Sequence, residues 1–335
     1  FDFKILEYIP KNFFKPLIFS GGAGNYLHLL EALRKKKNSF NNYCKFIKFC
    51  WQWTSRSEGF NPKKWSKISQ MVKNILIIGQ GSISTKHKNA INLISKKIKT
   101  TIISSRKFTD SDFNFKNINY DYIIVCSPSS YHFKHFKIIE KNFKNKKVLI
   151  EKPLFNKFHR INKNLKNKYF VGYNLRFHPV IQFLRRFLKK KNIFSVNIIS
   201  HSYLPSWRKI NYTKSVSANK TLGGGVLLEL SHELDYLKWI FNKITILKAF
   251  NKKISNLKIN TDDILNLSGK INKNGFFNLN INFFSKIKNR SIKIDGSNFS
   301  LNADLIKNRI ELINKKKIQT KKFINFKVED TYKAQ

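Results

Sequence analysis

The most constraining feature of this sequence is an apolar run that leads directly into a glycine turn and then an amphipathic helix. The run NILII covers residues 74–78, and Gly79-Gln80-Gly81-Ser82-Ile83-Ser84 follows it. A continuous apolar run of this kind is typical of a central strand in a parallel sheet. The first glycine permits a tight turn, and the second lets a pyrophosphate approach the backbone. We therefore expect Gly79, Gly81, Ser82 and Ile83 to hold a dinucleotide.

The next strand indicates which dinucleotide is bound. The segment TTIISS, residues 100–105, ends in Ser105, and Arg106 follows it. NAD-specific sites usually carry Asp or Glu there, which binds the ribose 2′-hydroxyl. A serine beside an arginine suits a 2′-phosphate better, through charge-assisted hydrogen bonds. The sequence thus predicts NADP(H) as the preferred cofactor, with NAD(H) possible; the alternative is that Arg106 is one more surface cation.

Two further segments have the pattern of buried strands that end in polar residues and a proline. They are YDYIIVCSPSSYH (120–132) and KKVLIEKP (146–153). Ligands of doubly wound sheets bind at the carboxyl ends of the strands. We therefore expect cofactor contacts at this edge from Ser127, Pro128, His132 and Glu151.

Together these segments resemble the Gfo/Idh/MocA family of NAD(P)-dependent oxidoreductases. The match continues through VGYNLRFHP (171–179) and GGGVLLELSHELDYLKWIF (223–241). The resemblance implies an α/β protein, with an N-terminal Rossmann dinucleotide-binding domain over 71–153. An α+β domain over 154–335 would follow, with an open, mainly antiparallel sheet. Alternation in FFNLNINFF and RSIKIDGSNFSLNAD supports such strands.

The resemblance also implies the catalytic groups. In the family, the lysine of a Glu-Lys-Pro motif contacts substrate and nicotinamide, and a histidine on a later helix is the acid/base. The matching residues here are Lys152 and His232. Helical spacing places Glu229 at i−3 and Asp235 at i+3 from the histidine. Many family members carry Asp four residues before this histidine, where this chain has Leu228, so Glu229 is the nearest candidate carboxylate.

Substrate contacts are expected from two segments. Tyr173, Asn174 and Arg176 lie in YNLRFHP, and Trp207 and Arg208 lie in a loop before the glycine run. The alternative for Arg176 is a structural role at a strand end. His87, in the helix after the glycine turn, is expected to pack under that turn.

The first seventy residues have a different character. PLIFSGGAGNYLHLLEAL, residues 16–33, resembles the C-terminal phosphate loop of the cyclase-type barrel of imidazole glycerol phosphate synthase. After Leu33 the pattern loses all period, and a shift of reading frame restores a barrel-like sequence. We therefore expect residues 1–70 to be a frameshifted, non-native or disordered remnant of an upstream gene, with Met71 as the start. The carboxyl end is expected to be truncated; the alternative for 1–70 is a genuine lysine-rich extension.

Composition narrows the function classes. The formal net charge of +46 accompanies abundant Lys, Asn, Ile and Phe, all encoded by A/T-rich codons, and no nucleic-acid-binding motif. We therefore expect no specific nucleic acid partner, and no membrane span, because no apolar run is long enough. The cysteines form no metal or redox spacing, so we expect no metal site and a cytoplasmic location. The family resemblance implies hydride transfer to or from a carbinol carbon of a sugar or sugar derivative, such as a nucleotide-sugar, with surface-polysaccharide biosynthesis as the expected setting. The alternatives are a non-catalytic NAD(P)-binding sensor and a basic nucleic-acid-binding protein. We also expect the chain to form a homo-oligomer through the face of the open sheet.

Overall fold

The computed structural model describes residues 17–19, 74–111, 118–161, 164–209, 211–272, 274–314 and 317–335. Strand β1 (Leu17–Phe19) belongs to the large sheet described below. The cyclase-like loop at 20–33 and the rest of the predicted remnant over 1–70 lie outside the described residues.

The dinucleotide-binding part is a parallel sheet with helices after its strands. Its strands are β2 (Asn74–Ile78), β3 (Lys99–Ile103), β4 (Tyr122–Val125), β5 (Lys147–Glu151) and β6 (Lys168–Gly172). Their order is β3-β2-β4-β5-β6, and every described neighbouring pair is parallel. The helices are α1 (Ser82–Ile94) and α2 (Ser129–Asn142). Leu76, Ile77 and Ile78 are fully buried, because helices cover a parallel sheet on both faces.

The parallel sheet extends beyond residue 153, where the sequence analysis ended this domain. Strand β6 pairs with β5 from Lys147–Lys168 to Glu151–Gly172. The chain therefore returns to the same sheet once more before it enters the second domain.

The second domain is built on a sheet that has nine strands among the described residues. They are β1, β7 (Ile193–Tyr203), β8 (Ile244–Lys252), β9 (Ile264–Ile271), β10 (Gly275–Asn282), β11 (Phe284–Gly296), β12 (Phe299–Asp304), β13 (Arg309–Asn314) and β14 (Lys317–Lys322). The order is β1-β8-β9-β10-β7-β11-β12-β13-β14. Within it β10 and β7 are parallel and the other described pairs antiparallel. The expected Rossmann domain and mainly antiparallel sheet are confirmed.

Helices cover one face of this sheet. They are α3 (Pro179–Phe187), α4 (Val226–Glu229) and α5 (His232–Phe241). Tyr236, Leu237 and Trp239 of α5 share a buried core with Phe277 and Ile294 of the sheet. The other face is rich in amides: Asn278 donates to Asn197 at 3.2 Å across neighbouring strands. Homo-oligomerisation through that face stays a prediction.

The last described helix, α6 (Asp330–Ala334), packs back against the first domain. The ring of Tyr332 lies edge-on to that of His87 on α1, with centroids 5.1 Å apart. The Asn174 amide donates to the Thr331 hydroxyl at 2.8 Å. The carboxyl-terminal residues thus connect the start of the second domain to α1. In the part of the chain that the structure describes, no helix is both long and apolar enough to cross a membrane.

Candidate active site at the carboxyl edge of the parallel sheet

The turn after β2 requires glycine at its first position. Gly79 has φ +123°, which side chains rarely adopt. A Cβ there would lie 2.7 Å from the carbonyl oxygen of Cys126 on the neighbouring strand. The Gly79 N–H donates to the Ile103 carbonyl at 2.8 Å, so the turn is held between β3 and β4.

The start of α1 has the properties of an anion site. Gly81 is the N-cap and no side chain caps the helix. A Cβ built on Gly81 meets no described atom within 4 Å, so the backbone faces open space. The third motif position, Ser84, is 2% exposed and packs inward. Free N–H groups at a helix start, aided by the helix dipole, favour a phosphate. The predicted residues Gly79, Gly81, Ser82 and Ile83 therefore fit a pyrophosphate.

The loop after β3 lies at the same edge. The strand ends at Ile103, two residues earlier than the sequence indicated. The backbone carbonyl of Ser105 accepts a hydrogen bond from Nε2 of His135 on α2 at 3.1 Å. Arg106 is exposed. Both residues stand where a cofactor ribose is bound in sheets of this type, and their contact with it stays a prediction.

The loop after β4 is held by two histidines of α2. The Ser127 hydroxyl lies 3.0 Å from Nδ1 of His135, and the Ser127 carbonyl lies 2.8 Å from Nε2 of His132. Pro128 is the N-cap of α2. On its other side, Nδ1 of His132 lies 2.9 Å from the Pro153 carbonyl and 3.1 Å from that of Leu154.

The two histidines are buried, and burial lowers the pKa of each. For His135 the pKa falls to about 4. For His132 the carbonyl oxygens around the ring act in the opposite direction without reversing the fall in pKa. Because His132 is 1% exposed and ringed by backbone carbonyls, its position supports the loops; its predicted contact with the cofactor stays a prediction.

Glu151 is likewise turned inward. One of its carboxylate oxygens lies 2.7 Å from Nε2 of His87, and both side chains are almost completely buried. His87 is therefore buried, as expected, and has in addition a carboxylate partner that the sequence analysis missed. A histidine eight residues after Gly79 is the only sequence signal of this pair. The contact with His87 of α1 therefore anchors Glu151, the residue that directly precedes Lys152.

Lys152 reaches from β5 to the second domain. Its ammonium donates to the Glu229 backbone carbonyl at 2.8 Å and lies 3.3 Å from the Glu229 carboxylate. The side chains of the pair are 18% and 20% exposed, so both remain partly accessible. The structure thus brings together two of the three predicted catalytic residues by direct contact.

His232 begins α5, on the other side of a break in the helix. Its Nδ1 atom is buried and has no hydrogen-bond partner among the described residues. The ring lies edge-on to Tyr173, with centroids 5.7 Å apart. Burial, and then the charges of Lys152 and Arg290, hold the pKa of His232 well below its ordinary value. The imidazole is therefore neutral at pH 7 and able to accept a proton.

The carboxylates expected to flank His232 have other partners. Glu229 contacts Lys152, and Asp235 accepts two hydrogen bonds from Arg176, of which that from Nε is 2.8 Å long. The physical reason is that α4 ends at Glu229 and α5 begins at His232. The i−3 residue is therefore not on the same continuous helix.

The predicted substrate residues divide into buried and accessible groups. Arg176 is 8% exposed, binds Asp235 and lies against the rings of Tyr173 and Trp239. Asn174 and Tyr173 are also buried. This geometry favours the structural alternative for Arg176.

The loop before the glycine run is the more accessible of the two segments. Trp207 packs edge-on to Phe283, with centroids 5.1 Å apart, whereas Arg208 is exposed. The loop leads to Gly223, whose φ is +85° and where a Cβ would overlap the Ser129 hydroxyl on α2. Close packing at this glycine brings the second domain onto the cofactor edge. Substrate contacts from Trp207 and Arg208 stay predictions.

Removing the Arg176 guanidinium tests the structural role. Arg176→Met leaves Asp235 charged and uncompensated in the core, so we expect a loss of about 3–5 kcal/mol in the free energy of unfolding. Urea unfolding measures it, with Arg208→Met as the matched control of unchanged stability. An Arg176 variant of wild-type stability with a raised substrate KM would instead establish a substrate contact.

Replacing the Glu229 carboxylate tests its contact with Lys152. In Glu229→Gln the backbone carbonyl still accepts from the ammonium, so turnover is expected to fall by roughly tenfold, the order of one partly solvated charge-assisted hydrogen bond. Steady-state kinetics measures the change, and unchanged turnover would show that the carboxylate has no part in the site.

The dinucleotide-binding part matches a known family. Residues 73–168 match the Gfo/Idh/MocA family model, described as an oxidoreductase family with an NAD-binding Rossmann fold. The chain has no match among curated proteins. The match agrees with the resemblance expected from the sequence and confirms the Rossmann domain.

Solved structures share the fold over most of the chain. UDP-N-acetylglucosamine 3-dehydrogenase from Acidithiobacillus ferrooxidans is 14% identical with a TM-score of 0.59, covering 78% of this chain and 85% of its own. The WlbA dehydrogenase from Bordetella pertussis, in complex with NADH and UDP-GlcNAcA, is 15% identical with a TM-score of 0.59; the match covers 77% of this chain and 85% of the dehydrogenase. An inositol dehydrogenase homologue from Azotobacter vinelandii, with NAD+, is 12% identical with a TM-score of 0.61, covering 78% and 84%. At these identities the likeness establishes the fold.

Proposed function

We propose that this chain, whose residues 73–168 belong to the Gfo/Idh/MocA oxidoreductase family, is a dehydrogenase that oxidises or reduces a carbinol carbon of a sugar or nucleotide-sugar. The observation that carries the proposal is the meeting of Lys152 with Glu229, beside a neutral His232, at the edge where the glycine turn lies. Structural neighbours described as acting on a nucleotide-sugar, or solved with one bound, support the substrate class.

The residues present fit a nicotinamide dinucleotide. Gly79, Gly81 and the uncapped start of α1 suit its pyrophosphate, and the carboxyl edge of the sheet leads from there to Lys152. When bound, the cofactor supplies the hydride-transfer chemistry.

The protein's own groups move the hydroxyl proton. The Lys152 ammonium hydrogen-bonds the hydroxyl oxygen of the substrate and stabilises negative charge that develops there. His232 accepts the proton in oxidation and returns it in reduction. Its low pKa suits the accepting role, since the ring is neutral before the reaction. Glu229 holds the ammonium in place.

We propose NADP(H) as the preferred cofactor, because Ser105 and Arg106 suit its 2′-phosphate. Arg106→Ala is expected to weaken NADPH binding by about tenfold to hundredfold, the range of charge-assisted hydrogen bonds to a phosphate. NADH binding should change little. Fluorescence titration of both cofactors measures this, with the adjacent exposed Lys107→Ala as control. Equal losses for the two cofactors would remove the argument from the 2′-phosphate.

A turnover screen tests the function itself. The full chain is incubated with NAD(H) or NADP(H) and a set of sugars, uronic acids and nucleotide-sugars, and absorbance at the reduced-nicotinamide band is followed. Turnover of a nucleotide-sugar would support a place in surface-polysaccharide biosynthesis; the cytoplasmic location and the homo-oligomer are separate predictions. Cofactor binding without turnover of any of these sugars would favour a non-catalytic NAD(P)-binding sensor. Salt-sensitive nucleic-acid binding without cofactor affinity would favour a basic nucleic-acid-binding protein.

A further inference from the structure

Two histidines one turn apart on α2 contact three neighbouring loops at the carboxyl edge of the parallel sheet. His132 lies between the loop after β4 and the loop after β5, and His135 lies between the loop after β4 and the loop after β3. We call these two side chains the histidine pair. The middle loop, at Ser127, is common to both.

The outer loops carry the groups that matter for the proposed reaction. The loop after β3 holds Ser105 and Arg106, and the loop after β5 begins with Lys152 and Pro153. The two are separated in the sheet by β2 and β4. A connection through α2 can therefore set the distance between the ribose end and the reacting end of a bound cofactor.

The bonds of His135 follow from its partners. A carbonyl oxygen only accepts, so Nε2 of His135 carries the hydrogen that is donated to Ser105. Nδ1 then accepts from the Ser127 hydroxyl. A neutral imidazole satisfies both contacts, and the ring is fixed further by stacking on Tyr131, with centroids 5.8 Å apart.

His132 has only carbonyl oxygens around its ring nitrogens. In either neutral tautomer the ring donates to one of its two loops and fills the space between both. It is 1% exposed, so water does not compete for these contacts.

We propose that the histidine pair is a positioning device, in which His132 holds the Lys152 loop for catalysis and His135 holds the Ser105–Arg106 loop for cofactor binding. The part concerning Lys152 rests on the proposed function. Neither histidine needs to touch substrate or cofactor, and the two should have different, separable effects.

Phenylalanine keeps the ring and removes its nitrogens, so it is the first variant at each position. His132→Phe is expected to lower turnover by about tenfold to hundredfold, as displacement of a catalytic group by about 1 Å does. NADH affinity should stay unchanged if His132 acts only through the loops, whereas a loss of NADH affinity would indicate a direct cofactor contact instead. His135→Phe is expected to weaken NADH and NADPH binding by about fivefold, the factor of one lost hydrogen bond, with a smaller loss of turnover. His159→Phe, outside the pair, is the control of unchanged kinetics.

Amide substitutions identify the contact that matters at residue 132. The asparagine amide stands near the position of Nδ1 and can donate to the Pro153 loop, whereas the longer glutamine amide stands near that of Nε2 and can donate to Ser127. We expect His132→Asn to keep most of the turnover and His132→Gln to resemble His132→Phe. Should His132→Phe unfold, this comparison decides; equal turnover of the two amide variants, or wild-type turnover of a folded His132→Phe, would overturn the proposal.

Amide hydrogen exchange gives a readout that needs neither substrate nor cofactor. His132→Phe should speed exchange in residues 150–156 about fivefold and leave 104–109 unchanged, and His135→Phe should do the reverse. This crossed pattern distinguishes the two proposals. If the wild-type chain turns over no sugar but the two variants show the crossed pattern, the proposed function is contradicted and the role of the histidine pair is supported. Uniform exchange changes in both variants would instead indicate general loosening and contradict the pair.

Discussion

Lys152→Met is expected to lower turnover by about 10²- to 10⁴-fold, the contribution of a positioned acid/base group, while NADH or NADPH affinity stays close to that of the wild type. Methionine keeps most of the aliphatic chain, so packing at the end of β5 is preserved. What is lost is the ammonium that bonds the Glu229 carbonyl at 2.8 Å and, in the proposed reaction, the substrate hydroxyl. An interaction made mainly in the transition state appears in turnover and not in cofactor binding.

The same substitution has a second, independent consequence. The Lys152 charge is one of the causes that lower the pKa of His232. Removing that charge should raise the pKa of the imidazole, so the acid limb of the pH–rate profile should move to higher pH. Lys147→Met, at the exposed opposite end of the same strand, is the matched control. Turnover within twofold of wild type in Lys152→Met, or an unmoved acid limb, would contradict the assigned role.

The dinucleotide-binding part was accessible to sequence analysis because its signals are local. The run NILII coincides with β2, since four consecutive apolar residues directly before a glycine turn are typical of a buried strand in a parallel sheet. Gly79 is determined by its own backbone and one neighbouring carbonyl. The strand after it ended earlier than expected because the chain turns at Ser104, whose carbonyl accepts from Lys107 and Phe108.

The partners of the site residues were not accessible in this way. Arg176 and Asp235 are 59 positions apart, and Lys152 and Glu229 are 77 apart. The Lys152–Glu229 pair depends on how the two domains meet, and the Arg176–Asp235 pair depends on tertiary packing within the second domain; no local pattern encodes either. The helical spacing around His232 assumed one continuous helix, whereas α4 ends at Glu229 and α5 begins at His232. The packing of α6 against α1 likewise required tertiary structure.

His232→Asn is expected to reduce turnover by about 10²- to 10⁴-fold and to abolish the acid limb of the pH–rate profile. Asparagine is polar and smaller, and it cannot exchange a proton near neutral pH. In the wild type the acid limb should lie below pH 6.5, because burial and the charges of Lys152 and Arg290 lower the pKa of this imidazole. As pH falls through that pKa the ring becomes charged and can no longer accept the hydroxyl proton, so the rate of oxidation declines.

A control histidine separates this effect from general damage. His201 lies on β7 and bonds Asn280 of the neighbouring strand β10, so His201→Asn should keep both turnover and the acid limb. Cofactor titration and thermal unfolding of both variants establish that the site is otherwise intact. If a folded His232→Asn retains its acid limb, another group titrates there and His232 is not the base. If it retains full turnover as well, the unpartnered Nδ1 has a packing role alone, and the proton must leave by way of Lys152.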